Sequence, residues 1–133
     1  MRRLTMILLI TATFVGCCRY DIDEVLLERE EISLTFKGEQ QMVYDPMTCQ
    51  LSNNKATNEY RMYDDKLSYW LTVKCSERPD TEGQSLSADI TWTASSSTRT
   101  EHNLKFVVRK ISPDGRIWMW NKTKRIGIVI KNL

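Results

Sequence analysis

Alternation constrains this chain more than any other feature. Between Lys66 and Cys75, Leu67, Tyr69, Leu71 and Val73 share one parity, and Ser68, Trp70, Thr72 and Lys74 share the other. Successive side chains of an extended strand point to opposite faces, so the stretch reads as a half-buried β-strand with Trp70 aimed away from the core. Ser85 to Ala94 repeats the pattern, with Leu86, Ala88, Ile90, Trp92 and Ala94 inward and Ser87, Asp89, Thr91 and Thr93 outward. Ile32, Leu34 and Phe36 near the start, and Ile126, Ile128 and Ile130 near the end, keep the same period. Further strands are expected at Gln41 to Tyr44, Thr48 to Ser52, Glu59 to Tyr63, Asn103 to Ser112 and Arg116 to Asn121. No stretch combines helical spacing with caps.

Turn residues punctuate these strands. Gly38, Asp45-Pro46, Asn53-Asn54, Asp64-Asp65 and the Pro79 to Gly83 loop separate the early ones, and Ser95-Ser96-Ser97 reads as a flexible loop. Pro113-Asp114-Gly115 is the strongest hairpin signal, because Asp-Gly supplies the positive φ that tight hairpins need. About eight short strands so punctuated argue for an all-β antiparallel fold, a sandwich or a small up-and-down barrel.

The first sixteen residues belong to a different kind of segment. Arg2 and Arg3 precede an apolar run, Met6 to Ile10, and Phe14-Val15-Gly16 leads into Cys17. The run falls short of the roughly 20 apolar residues of a spanning helix and has the layout of an export signal. Its ending resembles the lipobox of bacterial lipoproteins, which implies that Cys17 is acylated and anchors the mature chain in a membrane. Ordinary secretion is the alternative. Residues 17–30 then form an acidic tether, and residues 31–133 a single domain. The carboxylates soon after Cys17, beginning with Asp21, Asp23 and Glu24, resemble the surface-export signal of Bacteroidetes lipoproteins. That implies an outer-membrane or cell-surface location, with the periplasm as the alternative; the same residues can also serve as a solvated linker.

Without Arg2 and Arg3, the 19 basic residues become 17 and balance the 17 acidic ones. The balance hides an asymmetry: Cys17 to Lys66 carries 6 basic and 11 acidic residues, and Leu67 to Leu133 carries 11 and 6. Pairing of strands from the two halves would cancel it. No repeated interleaving of aromatic and basic residues supports nucleic-acid binding. With Cys17 and Cys18 at the processing site, Cys49 and Cys75 remain. In an exported protein these can form a disulfide, worth roughly 3.5 kcal/mol on the chain-entropy model; two buried free thiols are the alternative.

From Glu31 onward the chain resembles the immunoglobulin-like BACON-type domains of Bacteroidetes. The features that carry the resemblance are Gly38-Glu39, Trp70-Leu71-Thr72-Val73, Gly83, and Ile90-Thr91-Trp92-Thr93-Ala94 followed by Ser/Thr and Arg99. It implies an immunoglobulin-like β-sandwich and a non-catalytic module that binds glycans or acts as a spacer. Trp120-Asn121-Lys122 is also similar to a loop of the small lipidated inhibitors of C-type lysozyme, although their Ser-Gly-x-Arg-Tyr loop is missing.

A search for catalytic groups finds little. His102 is the sole histidine and has no supporting constellation. Asp64-Asp65 and Asp21-x-Asp23-Glu24 lack the spacing of a calcium loop, and no phosphate loop or nucleophile elbow is present. The expectation is therefore no enzyme, no metal and no cofactor. The aromatic residues remain as candidate ligand-binding groups: Trp70 by alternation, and Trp118 with Trp120, which share one face of a strand whose other face carries Ile117 and Met119. The competing arrangement puts Trp118 and Trp120 in the core and covers Met119 with the acidic leader. The reading is a lipid-anchored binding module of the cell envelope for a glycan or a partner protein. The alternatives are a structural accessory subunit of an envelope complex and a lysozyme-type inhibitor.

Overall fold

The computed structural model describes residues 22–94 and 97–133. The signal segment 1–16 and the expected lipidation at Cys17 lie outside the described residues. The described chain forms one short helix, α1 (Ile22–Glu28), and nine strands: β1 (Ser33–Phe36), β2 (Glu39–Val43), β3 (Cys49–Asn54), β4 (Glu59–Asp64), β5 (Trp70–Cys75), β6 (Ser85–Ala94), β7 (Ser97–Ile111), β8 (Arg116–Asn121) and β9 (Ile126–Lys131).

All nine strands join one antiparallel sheet in the order β2-β1-β9-β8-β7-β6-β5-β4-β3. The all-β antiparallel fold expected from the alternation is the fold the chain forms. Its course is up-and-down, every neighbour a sequential hairpin except β1 beside β9. The two facing layers of a sandwich are here two arms of a single curled sheet, a half-barrel. Leu34, Met42, Met62, Leu71, Ile90, Phe106, Met119 and Ile128, drawn from β1, β2 and β4 through β9, meet in one core on the concave side. The open seam lies between β2 and β3 and is bridged by side chains. Tyr69 Oη accepts the Val43 N–H at 2.7 Å, and Asn53 donates to the Lys131 carbonyl at 3.2 Å.

Two bulges on β7 do the bending. Ala88 pairs with Leu104 but Ile90 with Glu101, and Val108 pairs with Met119 but Lys110 with Trp118. Each extra residue sharpens the local twist, and Asn103 takes φ 53° at the first. The strand expected from Asn103 begins earlier, at Ser97, the last residue of the expected Ser95-Ser96-Ser97 loop, and Thr98 to Glu101 pair with β6. Strand pairing also places the acidic first half beside the basic second half, β1 against β9 and β4 against β5.

The disulfide expected between Cys49 and Cys75 does not form; both cysteines are free and buried. Register is the reason. Cys49 on β3 stands opposite Asp64 at one end of β4, whereas the Cys75 N–H on β5 bonds the Asn58 carbonyl beyond the other end. The length of β4 separates them by about 17 Å along the strands, and a bridge requires Cα atoms within about 7 Å.

The acidic tether contains a helix that its residue spacing does not predict. Seven residues are too few for a stable isolated helix, so contacts with the sheet hold it. Leu26 is buried against Trp118, Trp120 and Val129 on the convex side. A Cβ at Gly127 would lie 2.8 Å from Leu26 Cδ1, so glycine lets the helix seat this closely. Trp118 Nε1 donates to the Arg29 carbonyl at 2.7 Å, and Arg116 donates to the Glu30 carbonyl.

A double-mutant cycle checks this seat. Leu26→Ala should cost about 2 kcal/mol in urea unfolding and Gly127→Ala about 1 kcal/mol. Gly127→Ala should cost almost nothing in the Leu26→Ala background, because the atom it strikes is gone.

Candidate functional site

The turn from β4 to β5 builds a place where a large aromatic side chain, Trp70, meets solvent beside a groove. Asp64 organises it: its carboxylate accepts Ser68 N–H at 2.9 Å and Ser68 Oγ–H at 2.7 Å, while its backbone closes onto Tyr69 and Leu67. The Ser68 hydroxyl is the largest of the influences that hold the Asp64 carboxyl below its ordinary range. Asp65 accepts a hydrogen bond from Gln50 across the strands. Both aspartates thus serve the turn.

Leu67 sits at the tip of this turn with φ 56° and is 63% exposed. Left-handed backbone is costly for a leucine, by roughly 1–2 kcal/mol, and an exposed apolar side chain recovers nothing by burial. Trp70 follows on β5 with its side chain outward, as the alternation requires, and is half-buried. Tyr63 of β4 stands directly opposite it. These three, with Arg61, Ser52 and Thr72, line an open groove of about 480 Å³ on the convex face. Burial raises the Tyr69 phenol above its ordinary range, and its bond to Val43 ties this turn to β2.

The second candidate pair fares differently. Trp118 and Trp120 do lie on the convex face, opposite Val129 and Gly127, while Ile117 and Met119 fill the core. They are nonetheless closed to ligand, at 1% and 8% exposure. The leader covers them, not Met119: Leu26 packs on them, and Lys110 Nζ and the Arg116 guanidinium lie 4.6 Å and 5.2 Å from the Trp118 ring. They are corrected from ligand-binding candidates to the seat of α1. Trp120-Asn121-Lys122 is part of a structural turn, in which Asn121 donates to the Lys105 carbonyl and accepts from Lys124 N–H.

His102 is exposed, 3.9 Å from Asp89 and at the β7 bulge. Among the described residues no group of three or more His, Cys, Asp or Glu side chains could hold a metal ion. Asp114 is held at about 2, first by the Ser112 hydroxyl and then by Arg116, which donates to it at 3.0 Å in the β7–β8 turn. Cys75 moves the other way, its thiol pushed up to about 12 by burial. A thiol so shifted carries almost no thiolate at neutral pH and is a poor nucleophile.

The chain matches no protein family, no curated protein and no solved structure.

The thiols give a direct check on the described domain. Cys49 and Cys75 should both resist an aromatic disulfide reagent in the native protein at neutral pH and both react once it is unfolded. The domain should keep its unfolding midpoint when reductant is added; a shift to lower denaturant would signal a bridge.

Proposed function

We infer that this protein is a non-catalytic binding module of the cell envelope that holds a glycan in the Trp70 groove. The observation that carries the reading is a contrast among its four tryptophans. Trp92, Trp118 and Trp120 are buried, and Trp70 alone is half-exposed beside an open groove, with Tyr63 opposite it. Aromatic faces stack on the C–H faces of sugar rings, while Arg61, Ser52 and Thr72 offer hydrogen bonds at the rim. The concave side is packed with core side chains, which supports a surface site over an enclosed one.

The anchoring half of the proposal rests on Cys17 and the acidic residues behind it, which fit a surface lipoprotein of the Bacteroidetes kind. Among the described residues no helix is long and apolar enough to cross a membrane; in this reading the lipid on Cys17 is the attachment.

Trp70→Ala tests the groove. Binding to immobilised and soluble glycans should fall about tenfold or more, a loss of roughly 1.4 kcal/mol or more. Stability should change by less than about 1 kcal/mol, because the side chain is outside the core. Ligand should also shift the tryptophan emission of the wild type but not of the variant. Unchanged glycan binding by both Trp70→Ala and Tyr63→Ala would remove the reading. The anchor has its own check: intact mass of the membrane fraction should show a chain beginning at Cys17 with added acyl mass. An unlipidated chain in the soluble fraction overturns that half.

A further inference from the structure

The groove does not end at Trp70. Strand register carries two rows of side chains onward across the convex face, from β5 to β7. Trp70 stands opposite Thr93, and Thr93 opposite Thr98; one step along, Thr72 stands opposite Thr91, and Thr91 opposite Thr100. Five threonines on three adjacent strands therefore share the face that carries Trp70. Their hydroxyls are linked across β6 and β7, Thr93 with Thr98 at 2.7 Å and Thr100 with Thr91 at 3.4 Å. Thr98 and Thr100 are exposed at the outer edge, Thr72 and Thr91 are half-buried between them and the groove, and Thr93 is buried, so that Thr98 carries its row to the surface.

We propose that these threonine rows extend the Trp70 groove into a multi-ring site for a neutral, linear polysaccharide lying across the strands. The inference rests on the glycan reading of the groove and adds the length and charge of the ligand. Neighbouring strands are about 4.8 Å apart, so hydroxyls recur along each row at close to the interval at which a pyranose chain repeats its own. Each threonine hydroxyl can both donate and accept, which suits sugar hydroxyls that do the same. Thr98 and Thr93 are already oriented by their mutual bond, so less side-chain freedom is lost on binding.

The electrostatics of the face decide against an acidic polymer. Arg61 is taken by Glu59 at 3.1 Å, and Lys74 stands opposite Asp89. The two rows of the site carry one charge, Arg61, and the adjoining row alternates Glu59, Lys74 and Asp89. A uronic-acid chain would find the one cation of the site already paired with Glu59 and would meet the Asp89 carboxylate in the adjoining row. A chain of uncharged rings meets no such penalty.

The test compares ligand length in two kinds of variant. Calorimetric titration of the full domain with neutral β-gluco-oligosaccharides of two, four and six rings should show affinity rising with length, by about fivefold for each further strand engaged. The paired change Thr98→Val with Thr100→Val keeps the β-branched shape and removes the outer hydroxyls. It should bind the two-ring probe as the wild type does and lose the gain from two to four rings. Thr98→Ser with Thr100→Ser should restore that gain. Trp70→Ala should lose all three probes. If the wild type binds short and long probes equally, or the valine pair keeps the length dependence, the extended site is wrong while the Trp70 groove stands. Binding of a polyuronate in preference to the neutral probes also overturns the proposal. No saturable binding of any probe removes the groove reading and the extension together.

Discussion

The pairing of the first strand with the last is the interaction on which the rest of this structure depends. Every other neighbour in the sheet is joined by a hairpin, so its closure is local. β1 and β9 bring Ser33 to Val129 and Phe36 to Ile126 across almost the whole described chain. Contacts of such sequence separation are expensive to form, because the chain between them must be ordered first. Without that pair the β1–β2 hairpin would have no sheet to join, and Leu34 and Met42 would leave the core. The seam bond between Val43 and Tyr69 would go with them, and Tyr69 immediately precedes Trp70. The closing pair and the candidate site are thus connected through one hydroxyl.

The same pairing determines which part of the convex face is covered. β1 leads directly out of α1, so once β1 lies beside β9 the helix is delivered onto β8 and β9. There it finds a notch at Gly127 and two indole rings. Burial of Trp118 and Trp120 follows from chain connectivity as much as from their apolarity. The far arm, β3 to β6, receives no such cover from the described residues, and its convex face keeps Trp70, Tyr63, Thr72 and Thr91 in contact with water. One surface therefore has two characters, a sealed aromatic patch under the leader and an open aromatic groove beyond it.

Strand content and facing were legible in the sequence because alternation is a local property. Trp70 outward, Leu71 and Val73 inward, and Ile126, Ile128 and Ile130 inward all follow from parity alone. What parity cannot supply is register. Cys49 and Cys75 are the two cysteines left in a chain read as exported, which suggested a bridge; only the pairing of β3 and β5 with opposite ends of β4 excludes it. The β7 bulges were invisible for a related reason. Thr98 to Glu101 are polar on both parities, so a paired strand end carried no strand signal. Helix α1 escaped because the residue that seats it, Leu26, gives no periodic apolar stripe, and its partner is a glycine a hundred residues away.

A filled concave side limits where this fold can act. Curled sheets and barrels hold ligands inside when their interior side chains leave room, and here the space between the β3–β4 arm and β9 amounts to about 10 Å³ lined by Leu51, Met62, Leu71 and Ile130. That admits at most one water molecule. Opening it would require removing core side chains at several kcal/mol each, a cost comparable to the whole stability of a domain this size. The convex face carries no such cost, since Trp70, Thr98 and Thr100 contribute little to the core and are free to meet a ligand. A leucine held in left-handed backbone at the edge of that groove fits the same division. The turn that carries it is pinned by Asp64 and Ser68, so its strain is borne by a local hydrogen-bond network and the core is left unstrained.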